Sequence, residues 1–108
     1  MVKDLFFVAR IQETARLAAV PLTMARNPED VEAAMAARPR FALLDLTGDF
    51  DYERIFRALE AAGIPVLAFT THALARQTQP WHRRCARVVT KETLTAELPT
   101  LLREGVAA

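Results

Sequence analysis

The apolar residues of this chain fall into short runs, and the stretches between the runs carry apolar residues at helical spacing. Runs of this kind are typical of strands, and a continuous apolar run is typical of a parallel strand buried on both faces. Apolar residues that recur every three or four positions are typical of helices packed on one side. The pattern predicts five strands, at residues 5–8, 22–25, 41–46, 65–69 and 87–90.

Turn and capping residues mark the ends of the predicted helices. A first helix is expected over residues 10–19. Asn27 and Pro28 are typical of an N-cap and a first helical position, so a second helix begins there. Asp49 or Asp51 caps a third helix, which Gly63 ends.

Two later helices contain a proline, which removes a backbone donor and disfavours a helix interior. Residues 73–86 are therefore expected to form a short turn, a break, and a new turn from Pro80. The last helix begins near Glu92, and Pro99 is expected to kink it or delay its start.

Strands and helices that alternate along the whole chain predict one α/β domain over residues 1–108. The expected architecture is a three-layer, doubly wound sandwich with a five-stranded parallel sheet. Right-handed crossovers favour the strand order 2-1-3-4-5, numbered along the chain. Ligands and reactive groups of such folds lie at the carboxyl edge of the sheet.

The composition of the chain and its motifs exclude several classes of function. A formal charge of +1 predicts no general attraction to nucleic acid or to a membrane surface. Cys85 is the single cysteine, which excludes an internal disulfide and suits a reducing cytoplasm. The apolar run near the start is too short for a signal peptide or a membrane span. No phosphate loop, nucleophile elbow or dinucleotide fingerprint is present, so we expect no cofactor and no enzymatic activity.

Polar residues end three of the predicted strands. Asp45 is a candidate phosphoryl acceptor, or it caps a loop or pairs with Arg10. Thr70 or Thr71 is a candidate donor to a phosphoryl oxygen, or a helix cap. Lys91 is a candidate partner of a phosphoryl group or of Asp45, or a solvated surface residue.

These residues and their order resemble the response-regulator receiver domain, a flavodoxin-like fold, over nearly the whole chain. The resemblance rests on the phrases Ala-Leu-Leu-Asp-Leu at 42–46, Pro-Val-Leu-Ala-Phe-Thr at 65–70 and Val-Val-Thr-Lys at 88–91. It implies that Asp45 matches the phosphoacceptor, Thr70 the switch residue and Lys91 the signalling lysine.

The chain departs from that family where the metal would bind. Receivers carry an acidic pair after their first strand that holds Mg²⁺, whereas this chain has Ala9 and Arg10. A hard divalent cation needs several oxygen ligands, which Asp45 alone does not supply, so we expect no metal site. Glu92 replaces the usual proline, and Thr-Gly-Asp at 47–49 replaces the Met-Pro turn. The chain therefore resembles a degenerate, stand-alone pseudoreceiver that acts through protein–protein contact.

Other interpretations of this edge stay open. A pair of Asp45 with Arg10 or Lys91 would replace phosphorylation by a fixed charge. Asp45 is instead the acceptor of an unusual phosphorylated receiver if basic groups replace the metal. A third possibility is a small-anion site formed by Arg10, Thr71, His72 and Lys91.

The phrase around Trp81 is a candidate interaction surface. An exposed Trp beside Arg83 and Arg84 is typical of a protein-binding hot spot, and less often of a nucleic-acid stacking site that would include Arg76. The structural alternative is a Trp folded over its own helix. The local basic excess is modest, so nucleic acid is not the expected partner.

The resemblance also implies a homodimer. Receivers often associate through the fourth helix, the fifth strand and the fifth helix. By that resemblance, Trp81 and the helix that carries Leu98 lie near a self-association face, where arginines of one copy meet Glu92 and Glu97 of another.

Overall fold

The computed structural model describes residues 1–106. It confirms the α/β class, but the described residues contain three strands rather than the five that were predicted. The elements are α1 (Leu5–Leu17), α2 (Pro28–Ala34), a 3₁₀ turn (Met35–Ala37), β1 (Ala42–Asp45), α3 (Tyr52–Ala62), β2 (Val66–Thr70), α4 (Ala75–His82), β3 (Arg87–Thr90), α5 (Lys91–Ala96) and α6 (Leu98–Glu104).

The three strands form a parallel sheet in the order β1-β2-β3. Leu44 lies opposite Ala68, and Ala68 lies opposite Val88. Every side chain of β2 is buried, as expected for a central strand covered on both faces. The last three of the five predicted strands are thus confirmed, and they are neighbours in chain order.

The strand predicted at residues 5–8 is wrong in this structure, because these residues begin α1. The Asp4 side chain caps the helix by accepting from the Phe6 amide at 2.9 Å and the Phe7 amide at 3.3 Å. Phe7, Ile11 and Ala15 are four residues apart and form its buried side. The same apolar run therefore fits both the spacing of a strand and that of a helix. The helix that was predicted from residue 10 begins at Leu5.

The strand predicted at residues 22–25 is also absent from the described sheet. Its expected neighbour was the strand at residues 5–8, which is helical here. A strand without a neighbour has no ladder in which to pair its backbone groups, so the segment remains irregular. It follows the end of α1 and lines the same cavity as β1.

Three predicted helix ends are confirmed. Asn27 accepts from the Asp30 amide at 2.8 Å, and Asp51, rather than Asp49, caps α3. Gly63 ends α3 in the left-handed conformation, with φ of 70°.

The two internal prolines have different outcomes. α4 continues through Pro80 without the predicted break, and it ends two residues later at His82. The last helical segment does divide, with Glu97 between α5 and α6 and Pro99 in the first turn of α6.

The core lies in two layers, one on each face of the sheet. One face packs against α1, α5 and α6, and the other packs against α2 and α3. This is the expected three-layer arrangement around a smaller sheet. Among residues 1–106, no helix is long and apolar enough to cross a membrane.

Candidate functional site

The carboxyl edge of the sheet brings the three predicted polar residues to the ends of adjacent strands. Asp45 ends β1, Thr70 ends β2, and Lys91 follows β3 directly. Thr70 lies opposite Thr90 in the parallel register. The three side chains nevertheless have separate partners, and no hydrogen bond joins any two of them within residues 1–106.

Asp45 is only 2% exposed, and backbone and side-chain donors of its own chain occupy its carboxylate. Oδ1 accepts from the Thr47 amide at 2.8 Å and from the Thr47 hydroxyl at 2.6 Å. Oδ2 accepts from the Lys3 amide at 3.2 Å. The structure thus shows the loop-capping role. The expected pair with Arg10 or Lys91 does not form among the described residues.

Lys91 contacts α1 instead of the acceptor position. Its Nζ donates to Asp4 Oδ2 at 3.2 Å and lies 5.1 Å from the centre of the Phe7 ring. The hydrogen bond from Lys91, together with that from the Phe7 amide, lowers the pKa of the Asp4 carboxyl. Lys91 therefore ties the start of α5 to the start of α1.

Thr70 belongs to a chain of hydroxyl contacts. Its Oγ1 lies 3.0 Å from Oγ1 of Thr78, which lies 2.7 Å from Nε2 of His82. Both threonines are buried. Sequence reasoning missed this network: the separation of four residues between Thr78 and His82 on one helix face was its only signal. The buried position of the hydroxyls makes the network structural.

Tyr52 is a second residue that sequence reasoning missed. Its hydroxyl donates to the Asp45 carbonyl at 2.7 Å and accepts from the Gly48 amide at 3.0 Å. Burial, and then the charge of Asp45, raise the pKa of Tyr52, so the hydroxyl stays protonated and able to donate. It stabilises the turn after β1 by bonding to both of its ends.

The predicted anion site is not assembled in the described residues. Thr71 Oγ1 accepts from the Leu74 amide at 3.3 Å and so begins the turn before α4. Arg10 and His72 are exposed, and no hydrogen bond or ion pair links them to Lys91 within residues 1–106. In the same range, no three His, Cys, Asp or Glu side chains lie close enough together to hold a metal ion.

The predicted interaction surface around Trp81 is largely intramolecular. The Trp81 ring stacks on Phe56 of α3, with centroids 5.6 Å apart and planes 10° apart. Arg84 lies 5.0 Å from the centre of the Phe56 ring and pairs with Glu53 and Glu60. The alternative of a Trp folded over its own helix is not what the structure shows, because Trp81 packs on the neighbouring helix α3.

Leu98, which was predicted to belong to the same interaction surface, is buried. It is 1% exposed and packs in the core with Leu94 and Leu101, so it is not available to a partner. Arg83, by contrast, is exposed, as an interaction residue must be.

Comparison with known proteins adds no family to this picture: no protein family, curated protein or solved structure matches the chain.

Proposed function

We propose that this protein is a non-catalytic, receiver-like regulatory module of the cytoplasm that acts through protein–protein contact. In this proposal Asp45 matches an acceptor position that is not phosphorylated by the Mg²⁺-dependent route. The observation that carries the proposal is the occupied carboxylate of Asp45. A phosphoryl acceptor needs an oxygen that is open to the incoming phosphorus atom. Here the residue is buried, and three donors bind its two oxygens.

The remaining residues of the edge support the same interpretation. Lys91 is engaged by Asp4, and the Thr70 hydroxyl is engaged by Thr78. Phosphorylation at Asp45 would require several of these hydrogen bonds to break. Among the described residues no set of oxygen ligands for a metal ion is present to offset that loss.

Exposure to acetyl phosphate with and without Mg²⁺ tests this part of the proposal. We expect no mass gain at Asp45 in intact-protein mass spectrometry under either condition. A phosphoryl adduct that Asp45→Asn abolishes would instead favour the alternative of a true phosphoacceptor, with the presence or absence of Mg²⁺ showing whether a metal is required.

The proposed partner is a second copy of the chain, bound through the face formed by α4, β3 and α5. β3 is the edge strand on one side of the described sheet, and its four side chains are only partly buried. Such an edge offers unpaired backbone groups to another chain. Arg83 precedes this strand, Glu92 and Glu97 follow it, and all three are exposed, so a two-fold axis that pairs the two ends would bring opposite charges together.

Charge reversal tests this contact. We expect Arg83→Glu to weaken self-association severalfold in sedimentation equilibrium, because like charges would then face each other. Adding Glu92→Arg should restore it. Arg57→Glu, at an exposed arginine of α3, is the matched control and should change little. A monomer at all concentrations, or an equal loss with the control, would overturn the homodimer.

The proposed architecture of the full sheet is the five-stranded order 2-1-3-4-5. β1, β2 and β3 have the adjacency that the last three positions of that order require. The two further strands would be residues 22–25 and 5–8, added on the outer side of β1.

A further inference from the structure

On the side of β1 that faces away from β2, the backbone groups are only partly paired. The amides of Ala42 and Leu46 donate to the carbonyls of Pro65, just before β2, and Phe69 in β2, each at 3.0 Å. The alternate amides of Leu43 and Asp45 therefore point away from β2. On that outer side Met1 makes a single bridge. Its nitrogen donates to the Leu43 carbonyl, and its carbonyl accepts from the Asp45 amide, each at 2.8 Å. The Leu43 amide has no partner there among the described residues.

A cavity of about 690 Å³ lies beside this partly paired edge. Its walls are β1, residues 18–25, α2 with the 3₁₀ turn, and the end of α6. Its lining contains three arginines (38, 40 and 103) and no acidic side chain. The rest of the lining is mostly apolar and includes Val20, Leu22, Met24, Met35 and Leu43. An apolar cavity of this size beside an open strand edge is suited to an extended apolar segment, since four residues of strand span about 13 Å, the length of β1.

The segment with the matching chemistry belongs to the same chain. Leu5 is 80% exposed and Phe6 is 91% exposed at the start of α1, although each is a large apolar side chain. Both follow Met1, which is already held on the edge of β1, by only a few residues. Burial of such side chains stabilises a protein by roughly 25 cal/mol per Å² of apolar surface.

We propose that the cavity is the acceptor site for residues 4–8 of the chain itself, which exchange between the observed helical turn and a strand. In the second conformation Met1 leaves the edge of β1, and residues 4–8 pair with β1 in parallel, between β1 and residues 22–25. α1 then begins near Arg10. This inference rests on the five-stranded architecture proposed above.

The exchange would change the carboxyl edge of the sheet. In the helical conformation Asp4 binds Lys91, and the Lys3 amide binds Asp45. Both contacts depend on the present position of residues 3 and 4, so insertion of the strand would break them. Arg10 would then follow the inserted strand at the same edge as Asp45. The start of the chain thereby controls which groups face the acceptor position.

Amide exchange at Leu43 and backbone chemical shifts of residues 5–8 report the two conformations by NMR. Asp4→Ala removes the helix cap and the Lys91 contact, and should raise the protection of the Leu43 amide roughly fivefold and move the shifts toward strand values. Phe6→Val, at an exposed site of the helix, should act in the same direction, because a β-branched residue favours a strand. Phe6→Asp should favour the helical conformation, because an acidic residue is favoured in the first turn of a helix and disfavoured in a strand.

Asp51→Ala is the matched control, since it removes a similar cap from α3 and leaves α1 intact. Helical shifts at residues 5–8 with an unprotected Leu43 amide in the wild type, Asp4→Ala and Phe6→Val would overturn the proposal. Protection that appears only in a dimer would also overturn it, because the strand would then come from a second copy. Neither result depends on acetyl phosphate or on charge reversal at Arg83, so failure here is distinguishable from failure of the proposed function.

Discussion

At the scale of single residues, the two helix ends at Ala19 and Gly63 have the same geometry and different side chains. The Val20 amide donates to the Ala15 carbonyl, as the Ile64 amide donates to the Leu59 carbonyl, each at 2.9 Å. This is the Schellman arrangement, whose central residue is left-handed and usually glycine. Ala19 adopts φ of 57° there, at a cost of roughly 1–2 kcal/mol that glycine avoids.

Ala19→Gly is therefore expected to stabilise the protein by about 0.5–1 kcal/mol, after allowance for the greater freedom of glycine in the unfolded chain. The reverse change, Gly63→Ala, is the matched control and should destabilise by a similar amount. A Cβ at Gly63 would contact no atom within 4 Å, so that effect is purely conformational. Urea denaturation measures both. A loss of stability in Ala19→Gly would show that α1 does not end as the structure describes.

At the scale of elements, a helix or strand could be predicted from the sequence where its local pattern allows only one structure. Residues 41–46, 65–69 and 87–90 became strands because each is bounded by turn residues and has a neighbour in the sheet. Asn27 and Gly63 mark helix ends through their own side-chain chemistry, which is local. Residues 5–8 fit both a buried strand and a helix, and Asp4 together with the four-residue spacing of Phe7, Ile11 and Ala15 accounts for the helix.

The position of the candidate site could be predicted from the sequence, but the hydrogen-bond and ion-pair partners of its residues could not. Asp45, Thr70 and Lys91 do lie at one sheet edge, because parallel strands share the direction of their carboxyl ends. Their partners, Thr47, Thr78 and Asp4, follow from loop and helix geometry that strand patterns do not encode. Lys91 in particular pairs with a residue 87 positions away, whose location follows from α1 beginning at Leu5.

At the scale of the whole molecule, exposed ion pairs tie separate elements together. The hydrogen bond from Lys91 lowers the pKa of Asp4 below its ordinary 3.8, and that from Arg54 lowers the pKa of Glu32 below its ordinary 4.5. These pairs join α1 to α5 and α2 to α3, respectively. Each carboxyl is more acidic in the folded protein than in the unfolded chain, so protonation favours unfolding.

The stability of the molecule should consequently fall in acid. The contribution of each pair is fully present above the ordinary pKa of its carboxyl and is lost as the pH falls through the lower value of the folded state. The urea midpoint should therefore decrease as the pH falls below about 5, and the decrease should continue to about pH 2. Lys91→Met and Arg54→Met should each flatten this dependence, as should high salt, because the charges are exposed. Arg57→Met, which removes an exposed arginine from α3 without breaking an ion pair among the described residues, should leave the slope unchanged. An identical slope in all four proteins would show that these pairs do not set the acid stability of the fold.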